Sequence, residues 1–225
     1  MSARRVVKST PAVALFDLDG TLTWHDTLLP FLWGFVARRA ARLARLWRIA
    51  PAIVEYSRDR DRGNLKSRVI RAAMGKARRS EVDAYANAFV ARLEPRGMFR
   101  AAALATLEAH RAAGDRLVLL SASPDLYVPR IGKLLGFEQT ICTEVLWDGD
   151  ELDGALVSAN RRGIEKSRCL ERLRAEYAEL PIVAYGNSES DLDHMRRADR
   201  AVLVNANARA RRRAADSGIP IADWK

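Results

Sequence analysis

Apolar residues in this chain fall into short runs and helical periods that alternate along it. Ala12 to Phe16 (AVALF) is short, β-prone and free of charge, the pattern of a strand covered on both faces of a parallel sheet. Leu117 to Leu120, Ile141 to Thr143, Ile182 to Ala184 and Ala201 to Asn205 repeat the pattern as further core strands. Helical spacing separates them: Phe99 to Ala113, stopped by Gly114; Lys166 to Leu180, with Leu170, Leu173 and Tyr177 inward; and Arg209 to Arg213, a solvated helix face. Thr143 to Val157, with Asp148-Gly149 at its middle, predicts a hairpin. Strands alternating with helices predict an α/β fold.

The first two strands are separated by a long, mostly helical insertion. Leu28 to Val36 is apolar nearly throughout, too short to span a bilayer, and weakened as a helix by Pro30 and Gly34. Ala37 to Ala50 predicts a basic amphipathic helix, with Arg38, Arg42 and Arg45 on one side and Leu43, Leu46, Trp47 and Ala50 on the other. Pro51 interrupts, Asp59 to Asn64 reads as a loop, and Leu65 to Met74 resumes helical spacing. Ser80 and Asp83 resemble a capping box for a helix carrying Val82, Tyr85, Ala86, Phe89, Val90 and Leu93 inward, and Pro95 and Gly97 end the insertion. Ser123 and Pro124 read as the N-cap and first residue of a helix that Pro129 should kink or shorten.

At 225 residues the chain can bury a full core beside a smaller unit. It contains no apolar run of the ~18 residues a membrane helix needs. The basic start, MSARRVVKST, leads into a strand instead of a signal-peptide core. Cys142 and Cys169 form no CxxC and read as buried thiols, which points to a reducing cytoplasm. The formal charge of +10 is concentrated: residues 37–79 hold 14 Lys and Arg against three acids, and the remainder sums to −1. A stripe of this kind is either a solvated helix face or a surface for an anionic membrane.

Candidate chemistry sits directly after the first strand. Asp17 and Asp19 lie at the carboxyl end, where open α/β sheets place their ligands, and Gly20 permits a tight turn whose N–H groups can face an anion. Two acids this close call for a neutralising cation, and Mg²⁺ with a phosphate ester suits them; a plain surface turn is the alternative.

FDLDGT resembles the first signature of the haloacid dehalogenase superfamily, whose phosphatases use DxDGT. Ser121 in LVLLSAS, Lys166 in GIEKSRCLERL and the YGNSESD stretch from Tyr185 to Asp191 match the other three signatures in order. DGTLTWHDTLLPFL, SASPDLYV and ICTEV are similar to the subclass containing phosphoserine phosphatase, and more narrowly to its lipid-phosphate-hydrolysing, phosphatidylglycerophosphatase-like branch. The resemblance implies a doubly wound, Rossmann-like parallel sheet formed by residues 1–23 and 97–225, with residues 24–96 as an inserted α-helical cap.

It also implies roles. Asp17 would be the nucleophile, forming an aspartyl phosphate, and Asp19 the acid and base; Gly20, Thr21, Ser121, Ala122 and Lys166 would hold the phosphoryl group. Mg²⁺ would sit on Asp17, the Asp19 carbonyl, Asn187 and Asp191, although Asn187 stands where most relatives carry an Asp. His25 and Ser123 would face substrate. The expected substrate is a small phosphorylated metabolite or a lipid head-group phosphate, handled in the cytoplasm or at the inner face of the membrane. No nucleic-acid motif accompanies the basic stripe, so specific nucleic-acid binding is not expected. The competing expectation is a catalytically impaired protein whose basic cap binds anionic membrane or nucleic acid.

Overall fold

The computed structural model describes residues 10–37, 39, 44 and 46–225. Among them are the strands β1 (Val13–Phe16), β2 (Arg116–Pro124), β3 (Gln139–Thr143), β4 (Val145–Asp148), β5 (Glu151–Leu156), β6 (Ile182–Gly186), β7 (Arg200–Val204) and β8 (Ile221–Ala222). The helices are α1 (Leu28–Val36), α2 (Ala50–Asp59), α3 (Arg62–Met74), α4 (Arg79–Val90), α5 (Ala101–Ala113), α6 (Val128–Leu134), α7 (Ile164–Glu176), α8 (Leu192–Met195) and α9 (Ala208–Ala215).

Six strands form one parallel sheet in the order β3-β2-β1-β6-β7-β8, so β1 is central and the chain winds outward from it in both directions. The reversal of strand order beside β1 opens a crevice beyond the carboxyl ends. Side-chain alternation explains why β1 is apolar throughout. Ala14 and Phe16 join Leu117 and Leu119 in the core that includes α5, while Val13 and Leu15 join Val118 and Leu120 against Cys169, Leu170 and Leu173 of α7. Phe16 stacks on Tyr185 at 4.5 Å and meets His110 and Phe137 edge-on. Its truncation to Ala is expected to cost about 3–5 kcal/mol.

The insertion departs from the sequence reading at several helix ends. Leu28–Val36 is a regular helix despite Pro30, because Pro30 lies in the first turn, where its missing N–H has no partner to lose. The expected basic helix from Ala37 to Ala50 lies largely outside the described residues; Leu46–Ile49 is a 3₁₀ turn, and Pro51 opens α2 instead of interrupting a helix. The Asp59 to Asn64 loop shrinks to a hinge because Asp61 caps α3, accepting from the N–H groups of Gly63 and Asn64. Ser80 is no cap: α4 begins at Arg79, anchored by the Arg79 N–H to the Asp150 carbonyl and by an Arg78–Glu151 bridge to the β4–β5 hairpin.

Two further corrections lie near the crevice. Ser123 and Pro124 finish β2, with Pro124 opposite Thr143, so no helix begins there. Helix α6 starts at Val128, and Pro129 falls in its first turn without kinking it. The edge strand β8 was not among the expected strands; it is two residues long and lies beside β7.

Candidate active site

The turn after β1 sets the site. Gly20 has φ +83, and a Cβ there would come 2.0 Å from Asn187 Nδ2, so only glycine lets the two turns approach. Thr21 is fully buried and donates from Oγ1 to Asp17 Oδ2 at 3.0 Å, which orients Asp17 instead of facing the crevice. The Gly20 N–H points to Thr23 Oγ1 at 3.4 Å.

Lys166 enters from the first turn of α7. Its Nζ donates to Asp17 Oδ1 at 2.5 Å and to Asp191 Oδ1 at 2.7 Å, and all three side chains are almost completely buried. Burial opposes its charge, but the two carboxylates prevail and raise its pKa. Asp17 is pushed up to about 6 by burial, against the pull of Lys166 and with Asp191 and Asp19 adding to the rise. Asp191 is held well below the usual carboxylate range: burial raises it, but Lys166 and other donors outweigh that cost.

Asp191 uses its second oxygen locally. Oδ2 accepts from the Ser188 N–H at 2.9 Å, the Ser188 hydroxyl at 2.6 Å and the Asn187 N–H at 3.3 Å. Gly186 makes this turn possible, since a Cβ there would meet Asp191 Cβ at 2.7 Å. Both Asp191 oxygens shape the turn and fix Lys166, much as Lys166 and Thr21 hold both oxygens of Asp17; Asn187 and Asp191 are this turn's candidate ligands for a cation.

Asp19 faces the insertion. Oδ1 accepts from the N–H and hydroxyl of Thr27, at 2.8 and 2.7 Å, and Oδ2 from the Ser123 hydroxyl at 2.6 Å. Tyr127 extends the chain, its hydroxyl 2.9 Å from Thr27 Oγ1. Burial, followed by the charge of Asp26, raises the Asp19 pKa above its ordinary value. With its carboxylate engaged in this way, Asp19 can offer a cation only its main-chain carbonyl.

These groups border a cleft of about 570 Å³. Asp17, Asp19, Gly20, His25, Ala122, Ser123, Lys166, Asn187 and Asp191 all line it; Thr21 and Ser121 do not. Ser121 is fully buried and its hydroxyl accepts from the Ser123 N–H at 3.0 Å, so it shapes the end of β2. Among the described residues no cluster of three His, Cys, Asp or Glu is arranged for a metal. The Asp17 carboxylate, the Asp19 carbonyl and the Asn187 amide oxygen are nonetheless hard oxygen donors. The donor set fits Mg²⁺ with one carboxylate fewer than an all-aspartate site.

Sequence reasoning missed Lys66, Arg62, Asn160 and Arg162, which line the same cleft as Asp17. Lys66 Nζ crosses from α3 to the sheet, donating to the Ala122 carbonyl at 2.5 Å and Asn160 Oδ1 at 2.6 Å. Burial lowers its pKa to about 8. A signal existed: Lys66 shares a helical stripe with Ile70 and Ala73, both buried, and a lysine on an apolar stripe is out of place unless it has partners. Trp24, Leu28, Leu29, Leu65 and Val69 give the same cleft an apolar wall.

The model of haloacid dehalogenase-like hydrolases matches residues 14–196, from β1 through the Asp191 turn. This chain belongs to that family. Protein CicA of Caulobacter vibrioides is 32% identical over 191 residues, covering 84% of each chain. The crystal structure of a Bordetella pertussis Tohama I protein of unknown function superposes with TM-score 0.80 at 20% identity, covering 96% of this chain and 99% of that one. A phospho-aspartyl intermediate analogue of phosphoserine phosphatase superposes with TM-score 0.66 at 16% identity, covering 96% and 95%. At these identities the solved structures speak to the fold, the Rossmann-like α/β sheet of this hydrolase family with the β4–β5 hairpin beside it.

Proposed function

We propose that the chain is a Mg²⁺-dependent phosphomonoester hydrolase of the phosphoserine phosphatase-like subclass, working through an aspartyl phosphate on Asp17. The observation that carries this reading is the placement of Lys166 between Asp17 and Asp191 at the base of the cleft. A phosphomonoester is dianionic, and an anionic nucleophile can approach it only where charge is cancelled beforehand. Lys166 supplies one fixed positive charge, and Mg²⁺ on Asp17, the Asp19 carbonyl, Asn187 and Asp191 would supply Lewis-acid charge neutralisation.

Asp17 attacks phosphorus in line, and the bond from phosphorus to the ester oxygen breaks as the Asp19 carboxyl gives that oxygen its proton. Asp19, now a carboxylate, then takes a proton from water as the water oxygen attacks phosphorus. The bond from phosphorus to Asp17 breaks and inorganic phosphate leaves. Burial and the charge of Asp26 shift the Asp19 pKa upward, the direction that the first step needs. Thr27 and Ser123 hold its carboxyl in one orientation through the cycle.

In this reading residues 24–96 form the substrate-selecting cap, and residues 1–23 and 97–225 the catalytic core. Ser121 and Thr21 shape the phosphoryl pocket from behind. The cap lines the cleft with cations, Arg62 and Lys66, beside apolar side chains, Trp24, Leu28, Leu29, Leu65 and Val69. That lining suits an amphiphilic leaving group: a small phosphorylated metabolite with an anionic group, or the head-group phosphate of a lipid reached in the cytoplasm or at the inner membrane face. Hydrolysis of an aryl phosphate by the wild type and Asp17→Asn, with Mg²⁺ and with chelator, tests the reading. Turnover that survives both the substitution and the chelator contradicts it.

A further inference from the structure

The inserted helices leave large apolar side chains in solvent on elements that also line the cleft. Trp33 is 61% exposed, and Leu29, Ile53 and Val54 are each more than half exposed. Leu29 and Trp33 are four residues apart on α1 and share a face. Leu29 also lines the cleft, as does Tyr56, one turn beyond Ile53 on α2, so exposed apolar faces from two helices flank one opening. The surrounding sequence, residues 37–79, carries 14 Lys and Arg against three acids, while the rest of the chain is close to neutral.

We propose that this face docks peripherally on an anionic lipid bilayer, setting the cleft mouth against the head groups. For what happens in the cleft, the proposal rests on the phosphatase reading above. Exposed tryptophan and aliphatic side chains in a segment whose sequence carries this excess of cations, with Arg62 at the cleft itself, match the two layers they would meet, acyl chains and anionic phosphates. Nucleic acid would engage the cations but offers exposed Leu, Ile and Val side chains nothing to enter. No helix among the described residues is long and apolar enough to cross a membrane, which is consistent with a surface contact.

The test is co-sedimentation of the full chain with phosphatidylcholine vesicles, with and without about a third phosphatidylglycerol, at low and high salt. Binding to the anionic vesicles alone is expected, weakening with salt. The double variant Trp33→Ser, Val54→Ser should bind on the order of tenfold less tightly while aryl phosphate turnover is unchanged, since neither residue lines the cleft. Equal binding by variant and wild type, no binding to anionic vesicles, or a Trp33-dependent dimer in sedimentation velocity would each overturn the proposal. Binding is read without turnover, so a wild type that sediments with vesicles yet hydrolyses nothing supports the surface and counts only against the chemistry.

Discussion

Lys166 Nζ stands 2.5 Å from Asp17 Oδ1, joining residues 149 apart in sequence at the carboxyl end of the central strand. The contact is buried and shared with Asp191, so the three groups act as one electrostatic unit. Removing the cation leaves two carboxylates in the dark. Lys166→Met should lower unfolding free energy by about 3–5 kcal/mol in the absence of metal, the usual cost of orphaning a buried charge. Urea titration measures it, and a loss below about 1 kcal/mol would show that the unit is not coupled as the distances imply.

Asp19 carries the proton transfers in this account. Asp19→Asn should reduce kcat about 10²- to 10⁴-fold while phosphate still binds as a competitive inhibitor. Ser123→Ala and Thr27→Ala, which only loosen the carboxyl, should fall between wild type and Asp19→Asn in kcat. Steady-state kinetics on a soluble aryl phosphate ranks the four proteins.

Lys66 gives the cleft a charge that titrates. Its pKa is lowered to about 8 by burial, so a leaving group with its own anion should meet one cation more below pH 8 than above it. KM for such a substrate should rise through that pH in the wild type and stay flat in Lys66→Arg, whose side chain remains charged. Stability follows the opposite sign. Between about 8 and the ordinary lysine value of 10.5 the unfolded chain holds the extra proton, so stability rises with pH across that window.

Asn187 is the weak donor of the proposed Mg²⁺ site. Asn187→Asp should bind Mg²⁺ roughly tenfold more tightly by calorimetry, because a carboxylate replaces a neutral amide. Without metal the same variant should melt at lower temperature, as a further acid joins Asp17 and Asp191. Gly20→Ala should weaken Mg²⁺ binding from the other side, since the added methyl would displace the Asn187 amide.

How far the chain could be read follows from how local each determinant is. The strands around β1 were legible because a doubly covered strand must be apolar at every position, and the carboxylates of Asp17 and Asp19 stand out against such a run. The helices of the insertion were legible in type and misread at their ends. Pro30, Pro51 and Pro129 all lie in first helical turns, where proline is compatible, and only the tertiary frame decides on which side of a proline a helix lies. Ser121 and Thr21 were placed in the phosphoryl pocket by resemblance, whereas their hydroxyls bond inward to Ser123 and Asp17. Lys66 was hidden in a general count of positive charge. Its position on the Ile70 and Ala73 stripe separates it from the solvated arginines, but its acceptors, Ala122 and Asn160, come from elements 56 and 94 residues away.

The central claim is that Asp17 becomes covalently phosphorylated. Acid quenching during turnover of a phosphomonoester with Mg²⁺, followed by peptide mass spectrometry, reads this directly. The account predicts one added phosphoryl group on the peptide containing Asp17, absent from Asp17→Asn. A phosphoryl group on any other residue, or none while turnover proceeds, would contradict it.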